Sequence, residues 1–319
     1  MKKKIQYKLN IESRLDKYLH ALNPTISRSK IQKLIQSGNV TVNGLSAKCS
    51  FILKNSELIE FNSIDTSEQL SDLIPQNLNL DILFEDDDII VINKESGIVV
   101  HPGIGNHDNT LLNGVLYHCS KLSNISNRPG VIHRLDKETS GAIVFAKTDH
   151  AHHFISEQFA NREIEKSYKA ICWGNLIKKR IIKTNLMRDP RNRLRFKTSD
   201  FKGKASFSTL NPITNYTIPI TEVDIFPKTG RTHQIRVHLS SVKHPILNDS
   251  LYKGGEDFID SFHQNFRKDI KKILKCISRV ALHAYKIKFV HPVSKEKVDF
   301  IAPIPDDFKQ ALEVLDEFK

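Results

Sequence analysis

Residues 130–141 read G-V-I-H-R-L-D-K-E-T-S-G, and the next five residues, 142–146, are A-I-V-F-A without a polar interruption. A short apolar run rich in β-branched side chains is the pattern of a buried strand. A charged His-Arg-Leu-Asp cluster directly before such a strand has no packing role of its own, so Asp136 is read as a functional carboxylate delivered by a loop at the strand's entrance. Further short strand patterns flank it at residues 82–84, 89–92, 97–100, 141–147 and 168–173, with an acidic turn at 85–88. Helical patterns interrupt them. Asp149 is placed to cap a helix carrying Phe154, Ile155 and Phe159, and Thr232, Ile235, Val237 and Leu239 fit a helix beginning near Gly230. Residues 254–278 are charged and helical in pattern, with no role legible from sequence. Runs of strands with inserted helices predict an α+β domain over residues 80–319.

Upstream of it, residues 1–61 form a pattern of their own. Ser13 is a candidate N-cap for a helix with Leu15, Leu19 and Leu22 at helical spacing, and a second helix runs from Ser27 or Ser29 through Ile31, Leu34 and Ile35 to Gly38, a residue suited to a left-handed C-cap. Val40 and Val42 alternate with polar neighbours up to Asn43-Gly44, a tight-turn dipeptide, and Phe51, Leu53, Leu58 and Phe61 continue a small sheet. Residues 62–79 turn polar and lack apolar periodicity, which predicts a linker. Arg28, Lys30 and Lys33 fall on or beside the second helix near its N-terminus, where free backbone N–H groups already favour anions.

The whole chain of 319 residues carries a formal charge of +12, with a pI near 9.4. That balance points to a polyanionic partner such as nucleic acid, because clustered Lys and Arg gain free energy by displacing phosphate counterions. Hydrophobic residues make up 39%, enough for full cores and against a disordered chain. Cys49, Cys119, Cys172 and Cys276 are far apart with no C-x-x-C pair, so neither a disulfide framework nor a zinc ribbon is expected. Met1-Lys2-Lys3-Lys4 is not followed by an apolar stretch, and about 18 consecutive apolar residues occur nowhere, so the expectation is a soluble, cytoplasmic protein.

Opposite charge close by favours the ionised form of a carboxylate. Arg134 stands two residues from Asp136, and T-G-R-T-H-Q-I-R-V-H-L at 229–239 supplies Arg231 and Arg236 at a predicted helix start, a geometry suited to holding an anionic group. At this point several motifs agree in order: N-K-E-S-G-I-V-V-H-P-G at 93–103, H-R-L-D-K-E-T-S-G at 133–141, K-S-Y-K-A at 166–170, G-R-T-H-Q-I-R-V-H-L at 230–239, H-P-I-L-N-D at 244–249 and A-L-H-A-Y at 281–285. Together they resemble the RluA/RluD-type pseudouridine synthases of large-subunit ribosomal RNA over nearly all of residues 80–305. Residues 13–60, with S-R-S-K-I-Q-K-L-I-Q-S-G-N-V-T-V-N-G at their centre, resemble the S4-like (αL) RNA-binding module.

The resemblance implies a mixed, mainly antiparallel central sheet with the cleft across its middle. It implies Asp136 as the essential aspartate, Tyr168 as the aromatic against the target base, Arg231 as the basic partner of the aspartate, Leu282 as an apolar contact beneath the uracil, and Arg134 as the residue that fills the gap left by an extruded uridine. It also implies ribosomal RNA as partner; the reaction transfers no electron or phosphoryl group, so no cofactor is expected, and with nothing in the sequence suggesting an obligate interface the expectation is a monomer. Two departures stand out: Asn248 where the family commonly has Gly in H-P-I-V-G-D, and Glu95-Ser96 where it usually has N-K-P-A-G. Neither touches the implied catalytic set.

The reaction breaks the C1′–N1 bond, turns the uracil and rejoins it through C5 with loss of the C5 proton. Asp136 could attack C1′, attack C6 or remove the 2′ proton, and the sequence leaves the three open. A non-catalytic RNA-binding assembly factor and a hydrolase releasing free uracil are the competing functions. His233 and His238 lie close together on one predicted helix but lack acidic or cysteine partners at ligand spacing, so no metal is expected. Gly103-Ile104-Gly105 lacks the rest of a phosphate loop, and His133, Asp136 and Ser140 lack a nucleophile elbow. Without the resemblance, Tyr168 and Leu282 read as core residues.

Overall fold

The structure, a computed structural model, describes residues 2–7, 12–23, 28–54, 56–62, 73–103, 105–125 and 128–319. The chain divides into two compact units, Met1–Ile74 with Ser123–Pro129, and Pro75–Leu122 with Gly130–Lys319. No described helix is long and apolar enough to cross a membrane.

In the first unit, β1 (Lys2–Gln6), β2 (Ser13–Arg14), α1 (Leu15–Leu22), α2 (Arg28–Gln36), β3 (Val40–Val42), β4 (Leu45–Ser46), β5 (Ile52–Leu53) and β6 (Leu58–Asn62) follow in order. An antiparallel sheet runs β1-β6-β3-β4, and β2 pairs with β5. Leu15, Leu19, Ile31, Ile35, Val40, Val42 and Ile59 bury one stripe of each helix against the sheet. Asn43 and Gly44 have φ of +53° and +78°, the pair of positive values a type I′ hairpin turn needs. Ser13 does not cap α1. It is spent in the β2 pairing with Leu53, and the helix starts after Arg14. Ser27 lies outside the described residues, as does the side chain of Ser29.

The second unit is built on a ten-stranded sheet. Its elements are β7 (Ile82–Glu85), β8 (Ile89–Lys94), α3 (Leu111–His118), β9 (Ser140–Ala146), α4 (Asp149–Asn161), β10 (Glu165–Trp173), β11 (Arg180–Arg188), β12 (Phe196–Ser199), β13 (Lys204–Asn215), β14 (Ile220–Pro227), α5 (Gln234–Ser241), α6 (Gln264–Cys276), β15 (Leu282–Val290), β16 (Lys297–Ile301) and α7 (Asp306–Asp316). Strand order is β12-β11-β13-β14-β10-β15-β9-β8-β7, with β16 also on β15. β9 meets β15 in parallel, and the other described pairings of this sheet are antiparallel. This is the mixed, mainly antiparallel α+β architecture expected.

Three local expectations change. Residues 97–100 form no strand, because Gly97 takes φ +89° and the chain turns back toward residue 137. The cap of α4 is Thr148, whose Oγ1 accepts the N–H of Ala151, with Asp149 inside the first turn. The helix expected near Gly230 begins only at Gln234, after His233 at φ +54°. Residues 264–276 are helical as read, and bury Ile270, Ile273 and Leu274 in the core beside β10 and α7.

The entry to β9 is the tightest point of the sheet. Gly141 has φ +116°, and a Cβ there would lie 2.2 Å from the carbonyl oxygen of Ala284, its parallel partner on β15. Gly141→Ala is therefore expected to destabilise the fold by about 3 kcal/mol or more, from backbone strain plus a clash with backbone that cannot yield. Urea unfolding followed by far-UV circular dichroism measures it.

Candidate active site

The loop before β9 is anchored from beneath by residues 94–98. Lys94, with no more than 1% of its surface exposed, donates its three ammonium protons to the carbonyls of Glu95 (2.6 Å), Ile98 (2.8 Å) and Lys137 (3.2 Å). Burial pushes its pKa down to about 7 against the opposing charges of Asp136 and Glu138. The N–H of Gly97 donates to the Lys137 carbonyl at 2.9 Å, and the Ser96 hydroxyl donates to the Glu138 carbonyl at 2.9 Å. Ser96, a departure from the family pattern, thus helps hold the loop. Clamped on both sides, the loop presents Asp136 upward into a pocket also lined by Arg134, Lys166, Tyr168, Arg231 and Leu282.

The cation on Asp136 is Arg236. Its Nη1 lies 3.4 Å from Asp136 Oδ2, while Nε and Nη2 fork onto Asp249 at 2.7 and 2.8 Å. Burial works against the guanidinium's charge, and the fully buried Asp249 carboxylate more than offsets it, raising its pKa. Arg231, the residue expected in this role, sends Nε to the carbonyl of Ala205 at 3.2 Å. The reason is the helix start. The left-handed turn at His233 puts Arg231 outside the helix and Arg236 on the inward face of its first turn. Arg231 still lines the pocket, but the assignment of the aspartate's partner moves to Arg236.

Asn248 and Asp249 show why the other departure is tolerated. Asn248 takes φ +59°, a conformation Asn adopts more readily than other side-chain-bearing residues, so it replaces Gly without displacing Asp249. Asp249 also accepts the N–H of Tyr252, and the Tyr252 ring lies under the Arg236 guanidinium at 5.1 Å. The Tyr252 hydroxyl accepts the N–H of Phe196 and sits 2.8 Å from His233 Nδ1, leaving His233 Nε2 4.0 Å from Asp136. Burial lowers the His233 pKa despite the nearby Asp136 charge.

Tyr168 comes from β10 at a bulge. Ser167 pairs with Lys286 and Lys169 with His283, so Ala284 and Tyr285 stand opposite the single Tyr168. Such a bulge re-aims side chains beside a site. Burial, and then the charge of Asp136, raise the Tyr168 pKa and keep its hydroxyl protonated. Leu282, 3% exposed, contributes an apolar wall at the start of β15, and Arg134 is exposed at the pocket's mouth. The arrangement joins an acidic side chain, a held cation, an aromatic ring and an apolar wall, a set able to grip a planar polar ring and place a carboxylate against it.

A family model described as RNA pseudouridylate synthase matches residues 88–241, and an S4 domain model matches 13–59. A ribosomal large subunit pseudouridine synthase D of Neisseria meningitidis serogroup A is 39% identical over 303 residues, covering 95% of this chain and 78% of that protein. The chain belongs to the RNA pseudouridylate synthase family. This synthase is also 39% identical over 300 residues to a protein of the same description from Buchnera aphidicola, covering 94% and 93% of the two chains. Among solved structures it matches human RNA pseudouridylate synthase domain containing 1, with TM-score 0.54 and 25% identity over 72% of this chain and 85% of that one.

In the S4 unit of the synthase, the second-helix cations divide. Arg28 is drawn to Asp16, which has no exposed side-chain surface, at 2.7 Å, and Arg14 and Gln32 share the same carboxylate. Burial pushes the Asp16 carboxyl up, and the bonds from Arg14, Gln32 and Arg28 outweigh it and hold it well below the usual range. Lys33 is exposed, and the Lys30 side chain lies outside the described residues. Elsewhere, Glu85, His118 and Cys119 group ligand-type atoms within 4.8 Å, but the Glu85 carboxylate is already engaged by Lys147 at 2.9 Å and His118 at 2.6 Å.

Sequence reasoning offered Arg231 and Arg236 together and took Arg231 as the aspartate's partner from the resemblance; it missed Asp249 as the platform of Arg236 and Lys94 as the clamp. Each lies within a quoted motif, but only the fold shows which atoms they meet.

Proposed function

We propose that this synthase isomerises uridines of large-subunit ribosomal RNA in the cytoplasm, with Asp136 as the catalytic carboxylate. The observation that carries the reading is the seat of Asp136: a clamped loop, a guanidinium 3.4 Å from Oδ2, and Tyr168 and Leu282 lining the same pocket. The relatives named for the ribosomal large subunit support the choice of RNA. The pocket is lined by groups suited to one base, so the target must leave its stack.

In the bound state Tyr168 closes one side of the uracil and Leu282 the other, while Arg134 at the mouth takes the gap the base leaves. Asp136, facing the sugar-base junction, can attack C1′ or C6 or remove the 2′ proton. Arg236 keeps a positive charge beside the carboxylate through bond cleavage, and its fork onto Asp249 prevents it from following the substrate.

The test is incubation with unmodified large- and small-subunit ribosomal RNA, followed by chemical labelling to map pseudouridine. Product at a few uridines of the large-subunit RNA is expected. Tight binding without product would replace the enzyme reading by an RNA-binding assembly role, and release of free uracil would make the protein a hydrolase.

A further inference from the structure

Lys166 stands two residues before Tyr168 on β10, so its side chain shares the same strand face and lines the same pocket. It differs from the other pocket cations. Arg236 is paired with Asp136 and Asp249, Arg231 bonds the Ala205 carbonyl, and Arg134 is in water. Among the described residues none takes a hydrogen bond or ion pair from the Lys166 ammonium. The nitrogen lies 5.6 Å from the centroid of the Phe159 ring, and a Cβ on Gly230 would be 4.0 Å from it. Neighbouring His133 accepts the N–H of Val144 through Nε2, and burial, followed by the Lys166 charge, pushes its pKa down to about 3. Burial alone pushes the Lys166 pKa down to about 8, with no anion pushing back.

A part-buried cation without a counter-charge is costly, and the Phe159 face at 5.6 Å, at the edge of cation–π range, offsets only part of that cost. An anion that enters the pocket would supply the missing counter-charge. An RNA substrate offers one anionic group there: uracil and ribose are neutral at pH 7, and the phosphodiester is not. We propose that Lys166 binds a phosphodiester flanking the flipped uridine. This rests on the RNA-modifying reading above. Gly230 matters to it, because the absent side chain leaves the approach to the ammonium open.

The experiment measures affinity for a large-subunit ribosomal RNA fragment between 50 and 200 mM KCl. Lys166→Met and Lys166→Arg are compared with the unaltered protein, all with Asp136→Asn to prevent turnover. For Lys166→Met the slope of log affinity against log salt should become shallower by about 0.7, the value for one single-strand phosphate contact. Affinity at the lowest salt should fall about tenfold, the order expected for losing one charge-assisted hydrogen bond. Lys166→Arg should restore both. In the active background Lys166→Met should raise KM and leave kcat within about threefold, since uniform binding is what is lost. Its thermal midpoint should be no lower than that of the unaltered protein, because an unpaired charge has been removed from a part-buried site.

An unchanged salt slope overturns the proposal. If kcat then falls, the ammonium acts on the uracil. If the thermal midpoint falls with the slope unchanged, the lysine is a structural cation. Failure of the RNA reading itself would appear separately, as absence of salt-dependent binding by the protein that retains Lys166.

Discussion

Arg236→Met is expected to lower the rate of pseudouridine formation by about a hundredfold or more and to destabilise the protein by about 3–5 kcal/mol. The two losses have different origins. Asp249 has no exposed side-chain surface and is forked by Nε and Nη2 of Arg236 at 2.7 and 2.8 Å. Without the guanidinium it keeps the Tyr252 N–H at 3.2 Å, too little to hold a buried charge. Asp136 meanwhile loses the cation 3.4 Å from Oδ2. The double variant Arg236→Met with Asp249→Leu should recover most of the stability, because an apolar pair of similar volume replaces a buried ion pair at little cost. It should recover none of the activity. Arg236→Lys keeps a charge but cannot fork, and should fall between. Arg231→Met, by contrast, should leave stability within about 0.5 kcal/mol and act mainly on KM. Urea unfolding and single-turnover kinetics on the four variants check all of this.

The contrast between these arginines shows what the sequence could carry. Both sit in one motif, five residues apart, and charge alone does not separate them. What separates them is the positive φ of His233, which starts the helix at Gln234, and the position of Asp249, thirteen residues after Arg236. A left-handed residue that is not glycine leaves little trace in a sequence. The Asp136 loop was legible because a charged cluster abutting an apolar strand is locally anomalous. The strands were legible because period-2 patterning and β-branched runs are local too. Residues 97–100 looked like a strand on the same grounds, but their neighbourhood is set by Lys94 and by the N–H of Gly97 reaching the Lys137 carbonyl. Ser13 looked like a cap because Ser commonly caps, and the competing use, pairing with Leu53, lies forty residues away. The departures at Ser96 and Asn248 gained their meaning only from partners found in space, the Glu138 carbonyl for one and a left-handed turn leading to Asp249 for the other.

Asp136→Asn is the variant with the largest expected effect on turnover. The amide keeps the shape of the carboxylate and an oxygen for the Arg236 N–H, so the loop, clamped by Lys94 and Ser96, should not move. The negative charge is what disappears. Attack at C1′, attack at C6 and removal of the 2′ proton all require it, so the loss should be at least about 10⁴-fold whichever operates. Binding uses other groups and should persist.

The direct measurement is single-turnover release of tritium from C5 of labelled uridine in large-subunit ribosomal RNA, run with the unaltered protein and with Asp136→Asn at matched saturation. Catalysis by Asp136 requires release by the first and none above background by the second, with RNA affinities within about threefold of each other, since the carboxylate is not a phosphate contact. Release by Asp136→Asn within tenfold of the unaltered rate would contradict it.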